Sequence, residues 1–226
     1  MRLNTLQPVG TGVRRESVCI GTRALPGVLE LPDHPQGIVV FANEMVGSHG
    51  STQNARRVRV WRAFGLGVLL FDLLTEQEAL DRRGVRGIPL LAARLVDALA
   101  WLGRRDELQR VPIGLFGVGV GAAAALLAAA SQAESVGAVV ASDGRTDFVT
   151  PYLPRVRAPT LLLVGSDNEP TLGSINRLAM SVLTCDKRLE TLPRAASAGV
   201  NETDLPDICV SVAGRWFEQH LSRMQH

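Results

Sequence analysis

Residues 111–130 constrain the fold more than any other stretch of this chain. They read VPIGLF, then Gly117-Val118-Gly119-Val120-Gly121, then AAAALLAAA. An apolar run, a glycine turn and an alanine-rich segment describe a buried strand that passes into a helix with almost no loop between them. The tip of so sharp a turn is forced to φ above zero. Glycine takes that conformation without a Cβ penalty, avoiding strain of about 1–3 kcal/mol. Gly119 is therefore predicted at positive φ, with Val120 opening the helix.

The rest of the chain repeats the same grammar. Short β-branched runs at 17–21, 27–31, 37–42, 67–72, 112–116, 137–141, 160–165 and 188–192 alternate with helical patterns at about 53–64, 88–103, 121–132, 172–183 and 205–222. Strands alternating with crossover helices predict an α/β fold, and the continuous apolar runs predict strands covered on both faces. The first two runs, broken at Leu25-Pro26-Gly27, read as an antiparallel edge hairpin. The polar stretch 75–87 reads as a mobile loop. No repeat or linker divides the 226 residues, so a single domain 1–226 is expected, with 1–16 as a flexible or loosely packed N-terminal segment.

Charge and cysteine usage narrow the function classes. The formal charge is only +2, and Lys187 is the one lysine. The densest basic run, Arg56, Arg57, Arg59 and Arg62, shares a helix with Val58, Val60, Trp61 and Phe64 and reads as a solvated helix face. No nucleic-acid partner is expected, since binding would need a wider patch with exposed aromatics. Cys19, Cys185 and Cys209 lack zinc or redox spacing, which predicts no metal site and a reducing, cytoplasmic setting. The opening residues lack an apolar signal core and the 122–130 run is too short to span a bilayer, so no membrane anchor is expected.

The pieces IVVFAN (38–43), VLLFDLLT (68–75), the glycine turn with its AAAAL helix, RVRAPTLLLVGSD (155–167) and CDKRLETLP (185–193) resemble the dienelactone-hydrolase-like branch of the α/β-hydrolase superfamily, in family order through to WFEQHL. The resemblance implies a three-layer α/β-hydrolase fold with a mostly parallel sheet of about eight strands. It also implies a Ser-His-Asp site, and this chain departs from it position by position. The G-x-S-x-G nucleophile elbow has Gly119 in place of serine. A histidine-glycine pair that forms part of the oxyanion hole is replaced by Asn43-Glu44, leaving the N–H of Val120 as one donor. The acid position holds Asp167 or Asn168, depending on register. The family histidine, in a PGATH-like segment, falls nearest Ser197, and no histidine lies between His49 and His220.

A serine hydrolase needs a nucleophile, a base within reach of it, an orienting acid and oxyanion donors. The expectation is therefore a catalytically degenerate homologue, a pseudoenzyme that binds a small molecule or a protein partner, itself included as a homo-oligomer. It carries no cofactor and uses a cleft above Gly119 near Val118, Val120, Asn43 and Glu44. Glu44 at the rim would favour neutral or weakly cationic ligands over carboxylates. One alternative is an active hydrolase of small esters or lactones, with a rearranged site drawn from Ser48, His49, Glu44 or Asp167; the plainer reading of GSHGST is a polar turn and helix cap. A second alternative, from Gly117-x-Gly119-x-x-Ala122, is nucleotide or anion binding at the 117–121 turn. Asp72, Asp143 and Asp147 read as caps and turn residues, Cys185 as packing, and His220 and His226 as solvated surface.

Overall fold

The computed structural model describes residues 12–43, 52–80, 87–193 and 205–222. Eight strands form one sheet: β1 (Val13–Ile20), β2 (Leu25–Pro32), β3 (Gly37–Asn43), β4 (Leu66–Asp72), β5 (Ile113–Val118), β6 (Ala138–Ser142), β7 (Thr160–Gly165) and β8 (Lys187–Leu192). Their spatial order is β1-β2-β4-β3-β5-β6-β7-β8. β1 and β2 are antiparallel to their neighbours, and every pairing from β4 to β8 is parallel. The helices are α1 (Thr52–Ala63), α2 (Glu76–Leu80), α3 (Ile88–Gly103), α4 (Val120–Ser131), α5 (Ser174–Val182) and α6 (Leu205–Leu221).

Helices cover both faces, and each face has its own apolar core. On one side Leu91, Leu95, Ala98 and Leu102 of α3 and the alanines of α4 pack on Val40, Leu115 and Val139. On the other side Val58 and Trp61 of α1 and Ala213 and Phe217 of α6 pack on Val39, Val68, Phe116 and Val140. Alternate residues of one strand thus serve opposite cores, which is why these strands are apolar at every position. Leu66–Asp72 is buried throughout.

Three expectations are corrected. β1 begins at Val13, so residues 13–16 are an ordered edge strand paired with 29–32, and not loose chain. Their charge misleads because an edge strand needs little apolar surface; Glu16 receives both Nη groups of Arg105, at 3.0 and 2.9 Å. The 75–87 stretch contains α2, and its signal was the capping box Thr75-x-x-Glu78. There the Thr75 N–H donates to the Glu78 carboxylate at 2.8 Å and the Glu78 N–H to Thr75 Oγ1 at 3.2 Å. His220 is buried, not solvated: its ring lies 4.2 Å from that of Trp216 and its Nε2 4.0 Å from Asp186.

Glu78 also holds the buried Arg94 of α3 at 3.1 Å, tying α2 to the helix layer. The Thr75 N–H and the Arg94 cation hold its carboxyl below the ordinary 4.5 against the opposing effect of burial. A carboxylate with a lowered folded pKa stabilises the protein above its unfolded pKa, and this is lost as pH falls through the folded value. Glu78→Gln is expected to lower stability by about 1–3 kcal/mol at neutral pH. In urea titrations the gap from wild type should close below pH 4.5; a gap unchanged down to pH 3 would show that charge is not involved.

Candidate functional site

Open parallel sheets place ligands beyond the carboxyl ends of their strands. There β5 turns into α4 at Gly119, which has φ 59° and ψ −119°. Its N–H donates to the Ser142 carbonyl at 2.9 Å, pinning the tip of the elbow to the end of β6. Among the described residues a Cβ built on Gly119 would meet nothing within 4 Å, and the elbow carries no nucleophile side chain. On Gly117 a Cβ would lie 2.4 Å from the Gly121 carbonyl oxygen, and on Gly121 2.5 Å from that of Ala42. The outer glycines are steric requirements of the turn, whereas Gly119 answers to its φ alone.

Beside the elbow a cavity of about 370 Å3 opens between the ends of β5–β8 and helices α1 and α6. Its walls include Phe116, Val118, Leu192 and Val210, and its polar groups come from Arg57, Ser142, Asp143, Ser166, Asp167, Asn168 and Cys209. Asp143 is one of two non-glycine residues at positive φ among the described residues, at 47°. Two bonds hold it there: its N–H donates to the Leu163 carbonyl at 2.8 Å, and its Oδ1 accepts the Gly165 N–H at 2.9 Å. The sequence reading of Asp143 as a turn residue is half of its role, because the same carboxylate lines the cavity.

Cys209 donates to Ser142 Oγ at 3.5 Å, joining α6 to the end of β6. Burial pushes its thiol up; the Ser142 hydrogen bond opposes this, Asp143 adds to the rise, and Arg57 lowers it by less than Asp143 raises it. The thiol is thus neutral at physiological pH. The guanidinium of Arg57 donates to Asn54 Oδ1 at 2.8 Å and lies 5.3 Å from the centre of the Phe41 ring. It is half-buried in the wall and not part of a fully solvated face.

Of the expected site residues, Val118, Asp167 and Asn168 line the cavity. Val120 opens α4 and packs against the core, and Asn43 ends β3 in register with Asp72. Glu44, Ser48, His49, Ser197 and His226 lie outside the described residues. Cys209, Ser142, Ser166 and Arg57 were not singled out as site residues. Ser166 follows the VG that ends β7, a position after a strand end that sequence alone marks; the others meet only through the topology. The two described histidines sit at the opposite end of the sheet, where the parallel strands begin, His34 between β2 and β3 and His220 by Asp186 ahead of β8. A larger groove of about 670 Å3 also lies at that end, before β5 and β6, away from the elbow. Among the described residues no group of three or more His, Cys, Asp or Glu could hold a metal ion, and no helix is long and apolar enough to cross a membrane.

A dienelactone hydrolase from Anabaena variabilis has 39% identity to this chain, a TM-score of 0.82 and coverage of 91% of this chain and 96% of its own. The chain belongs to the dienelactone hydrolase family. A cold-adapted esterase from an Arctic intertidal metagenomic library shares the α/β-hydrolase fold, with 19% identity, a TM-score of 0.70 and coverage of 97% and 99%. Two curated proteins from strains of Mycobacterium tuberculosis, each named "Putative phosphoribosyl transferase", are 38% identical over 204 residues, 90% of this chain and 46% of theirs. This dienelactone hydrolase relative therefore spans about half the length of the curated proteins it matches. No family model matches the chain.

Proposed function

We propose that this member of the dienelactone hydrolase family is non-hydrolytic and binds a small molecule in the cavity beside its elbow. The observation that carries the proposal is Gly119: the backbone has the geometry of a nucleophile elbow, the residue at its tip has no side chain, and no described residue stands within 4 Å of where a Cβ would be. The cavity's own candidate nucleophiles, Ser142, Ser166 and Cys209, have no imidazole beside them among the described residues, and burial opposes thiolate formation at Cys209. A cavity of about 370 Å3 with apolar walls and a few polar groups falls within the ~300–1,000 Å3 of small-molecule sites. The free thiols Cys19, Cys185 and Cys209 fit a reducing cytoplasm.

The test is hydrolysis of p-nitrophenyl acetate and a small lactone by the purified protein. Turnover is expected far below the ~1–10³ per second of ordinary enzymes. Turnover of about 1 per second or faster would overturn the proposal and favour a rearranged hydrolase with Ser48, His49 and Glu44. Gly119→Ser alone is expected to stay inactive, because a serine hydroxyl without a base keeps a pKa far above neutral. Its strained backbone should lower stability by about 1–3 kcal/mol. The triple change adding Ser197→His and Asn168→Asp supplies the missing groups, and activity appearing only in the triple variant would confirm which positions were lost. Strong activity in the single variant would reveal an unrecognised base.

A further inference from the structure

The cavity carries information about its ligand that the elbow does not. Its walls are apolar on the sheet side, from Phe116 and Val118, and again at Leu192 and Val210. Its charges are unequal in disposition. The cation, Arg57, is engaged in the wall by Asn54 and lies over the Phe41 ring. Asp143 is fixed by two backbone bonds that occupy its own N–H and its Oδ1, in a conformation that asparagine and aspartate tolerate better than other side chains. A carboxylate accepts about four hydrogen bonds, so the bond from Gly165 leaves most of its capacity. Asp167 adds a second carboxylate at the exposed rim. The described wall of the cavity therefore carries two carboxylates against one cation, although the chain as a whole is slightly positive.

We propose that the cavity binds a small molecule with a protonated amine on an apolar body, the ammonium group meeting the Asp143 carboxylate and the apolar body lying between Val118, Leu192 and Val210. The inference rests on the reading of this cavity as a small-molecule site and adds the ligand's charge. Carboxylate ligands are disfavoured because they would bring a like charge beside Asp143 in a partly water-excluded space. The preference for cations arises from Asp143, at the end of β6, and does not depend on Glu44.

The test uses three probes of matched shape, cyclohexylmethylamine, cyclohexylmethanol and cyclohexanecarboxylate, at equal ionic strength. Affinities are read by calorimetry, and location by the amide NMR signals of Gly165 and Ser166. The amine is expected to bind about tenfold tighter than the alcohol, the scale of one close charge pair, and the carboxylate weaker than both. Asp143→Asn keeps an oxygen acceptor for the Gly165 N–H and suits positive φ, so the variant should fold. It should bring the amine close to the affinity of the alcohol while changing the alcohol far less, and amide signals unmoved outside the cavity serve as the control for an intact fold. Equal binding of amine and alcohol, an amine affinity unchanged in Asp143→Asn, or preference for the carboxylate would overturn the charge assignment and leave the cavity as a binding site. If none of the probes moves the Gly165 and Ser166 signals, the binding-site reading falls with it.

Discussion

Gly121→Ala is expected to lower the unfolding free energy by about 3 kcal/mol or more, at the upper end of what overpacking does. The new methyl would stand 2.5 Å from the carbonyl oxygen of Ala42, closer than real Cβ contacts come. That oxygen belongs to β3, whose two neighbours in the sheet hold it in register at this position, so it has no rotamer to escape into. The clash can be relieved only by lifting the first turn of α4 off the sheet. This would separate Ala122, Ala123 and the alanines beyond from a core in which they are fully buried. Gly119→Ala is the informative contrast, because its Cβ meets no described residue within 4 Å and the change is expected to bring φ strain alone, about 1–3 kcal/mol. Urea denaturation of both variants gives the ordering directly. A Gly121→Ala loss under about 1 kcal/mol would show that α4 adapts and that overpacking at the elbow is not a steric limit.

This contrast separates what was legible in the sequence from what was not. Gly119 was legible because one residue carries both the conformational demand and the missing chemistry. The strands were legible because burial on two faces leaves no polar position to blur the run, and all eight lie within a few residues of the sequence reading. The 3-10 helical run Thr146–Arg155 was not, since Pro151 and Pro154 interrupt any helical period in TDFVTPYLPR. The cavity was the least legible part. Arg57, Ser142 and Cys209 come from α1, β6 and α6, and only the strand order brings those elements to one end of the sheet. A charged residue beside Val58 reads as solvated face until Phe41 is known to lie under it. Glu44, the charge expected at the rim, lies outside the described residues, and the described charges of the cavity wall are Asp143, Asp167 and Arg57.

Trp61→Ala should be the most damaging single truncation on the face that carries the cavity, about 3–5 kcal/mol. Trp61 is fully buried, with ring centres 5.0 Å from Phe116, 6.3 Å from Phe41 and 6.2 Å from Phe217. Its indole N–H donates to the Val210 carbonyl at 2.9 Å, so it also binds α1 to α6. Phe116 and Val210 are at once partners of Trp61 and walls of the cavity. Removing the indole opens a void behind those walls and breaks the hydrogen bond that ties α1 to α6, although the Val210 carbonyl keeps its bond within the helix. Trp61→Phe keeps most of the volume and should lose only about 1–2 kcal/mol, mainly the hydrogen bond. Probe binding in the cavity should weaken in Trp61→Ala even where the protein remains folded, because Val210 loses its anchor while Asp143, held by β7, does not. A Trp61→Ala variant that loses under about 2 kcal/mol and keeps full probe affinity would show that α1 and α6 are set by other contacts and that the cavity wall does not depend on the core beneath it.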